Sequence, residues 1–199
     1  MDDQEPLSSI PERTLLDTCV LNRLYDEGGY IFDDEEPCDN NPNSLADLEA
    51  LRAIFLVNER AHFQFLISPL SIAEIANIQD FRARGGLLSW VLDVLDRWLI
   101  MLDETGDRIS AGGSVRTRFK LTIELQKLET ALLEIPDFAR DPFDRLLLIQ
   151  YKMGDCDAFL TSDLNTIWKH RERLRDLGIN VIRPAEFWQT LKPWAALWL

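Results

Sequence analysis

Short apolar runs alternate along the chain with stretches whose apolar positions recur at helical spacing. The first run, in RTLLDTC from Arg13 to Cys19, ends in Asp and Thr and leads into VLNRLY, which predicts a buried strand turning directly into a helix. Leu45, Leu48, Leu51, Ile54, Phe55 and Val57 then mark a helix, and HFQFLI, from His62 to Ile67, a strand that Ser68-Pro69 stops. Helical spacing resumes from Leu70 to Ile78 and from Leu87 to Trp98, while Leu99 to Leu102 fits an extended piece without requiring one. A glycine-rich loop, ETGDRISAGGS, precedes a helix through Leu121, Leu125, Leu128 and Leu132 that Pro136 ends. Asp141-Pro142 starts another through Leu146 to Tyr151; Ala158 to Thr161 reads as a strand, Leu164 to Leu177 as a helix and Asn180 to Ile182 as a last short strand. Strands alternating with helices predict an α/β protein, a mainly parallel central sheet covered on both faces in three α/β/α layers. No internal repeat interrupts this order.

At 199 residues the chain fits one domain, 1–199, with an N-terminal tail over 1–12. Cys19, Cys38 and Cys156 are too few and too scattered for a disulfide framework or a zinc site, which predicts a reducing, cytoplasmic setting. The acidic start MDDQEPLSSIPERTLLD is no signal peptide, and no apolar stretch approaches the ~20 residues of a membrane span. A formal charge of −13 argues against a polyanionic partner until its distribution is read. Residues 1–50 hold fourteen acids against two arginines, net −12, so the remainder is close to neutral at −1. The excess concentrates in YDEGGYIFDDEEPCDNNPN, which predicts an acidic insertion loop over 26–44.

Ligands of open parallel α/β sheets bind beyond the carboxyl ends of the strands, and the residues there are acidic. Asp17 closes the first strand, Asp163 follows the Ala158–Thr161 run, and Glu74 and Asp144 open helices entered near the same edge. Each has a plain alternative as a helix cap. Ser71-Ile72-Ala73-Glu74 fits a capping box, Asp163 can cap a helix opening at Leu164, and Asp141-Pro142-Phe143-Asp144 reads as cap, first-turn proline and first-turn acid. Asp144 lies on the stripe of Leu147, Leu148 and Tyr151, where a carboxylate needs a partner; Arg145 and Arg140 are structural candidates.

LLDTCVL, SPLSIAEI, DPFDRLLLIQ and DAFLTSDLNTIW, closed by GINVIRPAEFW, resemble in order the four acidic motifs of PIN domains over most of the chain. The resemblance implies strand order 3-2-1-4-5 and catalytic, metal-holding roles for Asp17, Glu74, Asp144 and Asp163. It implies supporting roles for Thr18, Thr161, Ser162 and Asn165. One departure is Cys19, where the family commonly carries Asn: a weaker hydrogen-bonding group stands there, with support for Asp17 loosened or moved to Thr18. Clustered carboxylates repel unless some protonate or a cation binds, and hard oxygen ligands select Mg²⁺ or Mn²⁺, as one ion or two. The implied reaction is metal-dependent hydrolysis of phosphodiester bonds in single-stranded RNA.

Candidate RNA contacts are Arg82 and Arg84, Arg108, Arg116, Arg118 and Lys120, and the run from Lys169 through Arg171 to Arg175. The acidic insertion is either a solvated loop or a competitor of RNA for such a groove. His170 reads as an exposed surface residue rather than a general base. Phe187, Trp188, Trp194 and Trp198 form an apolar tail that packs on the domain or forms a homodimer or partner seam. Relatives of the VapC toxin type would add an antitoxin protein as partner. A non-catalytic PIN scaffold that binds RNA or protein is the alternative, with Cys19 as its motive. Receiver and haloacid-dehalogenase-like folds fit less well, since each wants further residues that LLDTC and NVIRP do not supply.

Overall fold

A computed structural model describes residues 9–38, 41–94, 99–102 and 115–198. Its frame is a five-stranded parallel sheet built from β1 (Arg13–Leu16), β2 (Gln64–Ile67), β3 (Leu99–Met101), β4 (Ala158–Leu160) and β5 (Val181–Ile182). The order is β3-β2-β1-β4-β5, so the first strand lies at the centre and the chain reverses direction across the sheet between β3 and β4. Alternation within each strand divides the core. Leu16, Phe65, Ile67 and Leu160 point to one face and Leu15, Leu66, Phe159 and Val181 to the other, each set packed among helical side chains.

On the first face lie α1 (Thr18–Asp26), α2 (Gly28–Phe32), α3 (Pro42–Ala61), α4 (Pro69–Ala76), α5 (Phe81–Val94) and α10 (Pro184–Leu191). On the second lie α6 (Val115–Leu133), α7 (Pro136–Arg140), α8 (Pro142–Met153) and α9 (Arg171–Asp176). Helix α3 packs along α10, and a part-buried ion pair joins them: Arg183 Nη2 lies 2.8 Å from Asp47 Oδ2, while Asp47 Oδ1 accepts from the Ala185 amide at 3.3 Å. The aromatic tail packs on the domain. Phe187 is buried, Trp188, Trp194 and Trp198 rest against the same core, and Trp198 meets Phe63 edge-on at 5.6 Å.

Three sequence expectations are corrected and one is extended. The 26–44 insertion is not a bare loop. It contains α2, buries Ile31 and Glu27, and sets Phe32 against Phe55, because two apolar residues among the acids suffice to anchor it to α3. Leu164–Leu177 is not one helix; residues 164–167 form turns before a 3₁₀ turn at Trp168–His170 and then α9. Pro136 both closes the preceding helical pattern and opens α7, since proline is tolerated in a first helical turn. The tail over 1–12 is docked from Ile10, which is buried, and the Glu12 and Arg13 amides both donate to Asp157 Oδ2. Among the described residues no helix is long and apolar enough to cross a membrane.

Candidate functional site

Asp17 sits one residue beyond β1, and its amide donates to the Leu160 carbonyl at 3.0 Å, extending the β1–β4 ladder by one rung. It is also the N-cap of α1, yet its side chain makes no capping bond. The carboxylate, 7% exposed, instead receives Thr161 Oγ1 at 2.5 Å and Cys19 Sγ at 3.0 Å, both on Oδ2. Burial pushes its pKa upward, the two hydrogen bonds oppose that, and the charges of Asp163 and Glu74 add to the rise.

Asp144 enters from the other face. Asp141 caps α8 by accepting from the amides of Phe143 and Asp144 at 2.9 and 3.2 Å, with Pro142 in the first turn, as the sequence predicts. The Asp144 carboxyl is raised to about 7 by burial first, then by the charges of Asp141, Asp17, Asp163 and Glu74. Neither proposed arginine partner pairs with it among the described residues: Arg145 Nη1 donates to the Phe138 carbonyl at 2.7 Å, and Arg140 forms no salt bridge with Asp144.

Glu74 projects from α4, exposed, and the capping box proposed for Ser71 does not form. The helix starts earlier, at Pro69, with Ser68 as the cap that accepts from the Leu70 amide at 2.8 Å, so Ser71 lies inside the first turn. Ser68 Oγ also donates to Gln150 Oε1 of α8, which ties the end of β2 to the helix carrying Asp144. Asp163 caps a turn rather than a helix, with Oδ1 accepting from the Asn165 amide at 2.8 Å.

The structure therefore brings Asp17, Glu74, Asp144 and Asp163 within electrostatic reach of one another at the carboxyl edge of the sheet. Among the described residues no cation forms a salt bridge with any of the four. Nor do three or more acidic, His or Cys side chains there form a ready-made cage for an ion. Beside the acids, the buried hydroxyls of Thr18 and Ser162 lack hydrogen-bond partners. Carboxylates that form no such cage suit a cation that keeps part of its water shell, as Mg²⁺ does, better than one stripped by a protein cage.

Support for Asp17 comes not from Thr18 but from Thr161 and from Cys19, whose contribution sequence reasoning understated. Asp141, read only as a cap, is a further negative charge on Asp144; its place three residues earlier on the same helix was the available signal. Of the basic residues, Lys169 pairs with Asp137 at 2.6 Å, and Arg171 stacks on Trp168 at 4.2 Å and pairs with Glu172. Arg173 and Arg175 pair with Glu134 and Glu172. This run is largely neutralised. The side chains of Arg82, Arg84, Arg116, Arg118 and Lys120, and all of Arg108, lie outside the described residues. His170 is not a free surface residue, for its ring packs on Phe138 and Nε2 lies 2.7 Å from Asp137 Oδ2.

No family model, curated protein or solved structure matches the chain.

Proposed function

We propose that the chain is a PIN-like, three-layer α/β/α ribonuclease of the cytoplasm that hydrolyses single-stranded RNA with Mg²⁺ or Mn²⁺ at Asp17, Glu74, Asp144 and Asp163. The observation that carries this reading is the mutual influence of four carboxylates from the end of β1, α4, α8 and the turn after β4, with no cation paired to them among the described residues. Paired acids would fit a merely structural role; unpaired ones raise the free energy of the fold unless a ligand compensates. The motif order and the 3-2-1-4-5 sheet support the same reading. Free Cys19, Cys38 and Cys156 are consistent with a reducing compartment.

Asp17 and Asp163 would be the principal ligands, with Asp144 and Glu74 completing the acidic rim. A bound divalent ion would supply neutralisation of phosphate charge and a more acidic water. Asp144, with a carboxyl raised to about 7, is suited to hold or release a proton near neutral pH. The scaffold alternative rested on Cys19, and its motive weakens because the thiol makes the hydrogen bond to Asp17 that an amide would make. Asp17→Asn and Asp163→Asn should each lower Mn²⁺-dependent cleavage of unstructured RNA by more than roughly 100-fold, the upper end of what losing a supporting residue costs. Circular dichroism should show both variants folded, and cleavage by both at the unsubstituted rate would end the assignment.

A further inference from the structure

We propose that Cys19 is a positioning residue: its thiol and the Thr161 hydroxyl together clamp Asp17 Oδ2 and leave Oδ1 as the carboxylate's free oxygen for a cation. The inference rests on the metal-site reading above and specifies how that site is held. Two parallel relays end on the same atom. In one, the Ser162 amide donates to Cys19 Sγ at 3.3 Å and the thiol donates to Asp17 Oδ2 at 3.0 Å. In the other, the Asp163 amide donates to Thr161 Oγ1 at 3.0 Å and the hydroxyl donates to the same Oδ2 at 2.5 Å. The intermediate atoms, Cys19 Sγ and Thr161 Oγ1, touch at 3.4 Å.

The arrangement has a direction. Backbone amides can only donate, so the sulfur and the hydroxyl oxygen accept from behind and send their own hydrogens forward. Each link polarises the next, and both relays start in the short segment that carries Asp163. The orientation of Asp17 on β1 is thereby fixed to the backbone position of Asp163 after β4. Thiols are weak donors, but a carboxylate acceptor strengthens the bond, and two donors on one oxygen restrict rotation of the carboxylate more than one does. Cysteine also suits the space: it fills a half-buried position in the first turn of α1 and accepts from Ser162 while donating to Asp17.

The test has a metal-free arm and a metal arm. In chelator, the infrared S–H band that disappears in Cys19→Ala should lie below that of the exposed Cys38 thiol and shift when Asp17→Asn replaces the charged acceptor. In the metal arm, calorimetric Mn²⁺ titration of the full chain should show affinity lower by about tenfold in Cys19→Ala, the small end of the range for residues that orient a ligand. Cys19→Ser, which keeps a donor, should recover most of it. An S–H band coincident with that of Cys38, or Mn²⁺ affinity unchanged in Cys19→Ala, overturns the clamp while the metal site stands. Absence of any Mn²⁺ binding by the unsubstituted protein overturns the metal reading itself and the clamp with it.

Discussion

Asp144 and Asp137 are the same chemical group about two helical turns apart in sequence, and their surroundings drive them in opposite directions. Asp137 lies between Lys169 and His170, whose hydrogen bonds bring its carboxyl down to about 2. Asp144 is half-buried among other acids and rises to about 7. Among the described residues the fold therefore supplies cations to Asp137 and pairs none with the four acids at the edge of the sheet. A protein that can neutralise an acid, and does so a few residues away, leaves these unneutralised at a cost that a bound cation would offset.

The largest effect is expected from removing one acid from the rim. Two unit charges ~8 Å apart at an effective dielectric of ~20 repel by about 2 kcal/mol. A fraction of that would move the melting temperature of a domain this size by about 3 °C. In chelator, Asp17→Asn should melt higher than the unsubstituted protein, and Mn²⁺ should raise the melting temperature of the unsubstituted protein only. Melts of both across a Mn²⁺ titration decide the matter; equal responses would mean that Asp17 is no ligand.

A smaller effect follows from proton binding. Asp144 holds its proton more tightly folded than unfolded, so between the ordinary aspartate range near 4 and about 7 the native state binds more protons than the unfolded one. Stability in chelator should fall as pH rises through that window and level off above it, with Asp144→Asn flattening the slope. Asp137 contributes with the opposite sign: its stabilisation is present above pH 4 and lost as pH falls toward 2. The smallest expected effect is therefore Asp137→Asn, a slight drop in melting temperature at neutral pH with unchanged RNA cleavage. A large loss of cleavage would show that the paired acid, too, belongs to the site.

Much of this was legible in the chain because the strands are short apolar runs ending in acids, and alternation alone assigns Leu15 and Leu16 to opposite faces. What was not legible depends on partners far away in sequence. The run from Lys169 to Arg175 looks like a basic surface until Asp137 and Glu134 arrive from other helices. β3 was undecidable because only Leu99 is buried while Ile100 and Met101 are exposed, so the apolar run carries no face. The acidic stretch was misread by composition, which weighs its many carboxylates above Ile31 and Phe32, the two residues that hold it down. Cys19 was underrated because its worth depends on where the Ser162 amide and Asp17 oxygen stand, not on thiol chemistry in general.

The central position of β1 also governs how the protein is born. Of the five strands β1 is made first and must wait with both edges open, for β2 some fifty residues later and for β4 after about 145. Leu15 and Leu16 would remain wettable until then, and so distant a pairing makes for slow closure. A nascent chain shorter than this holds Asp17 without Asp163, so on the reading proposed here no cleavage centre exists until most of the polypeptide has been synthesised. The order of the strands would in that way protect the message being translated from the enzyme it encodes.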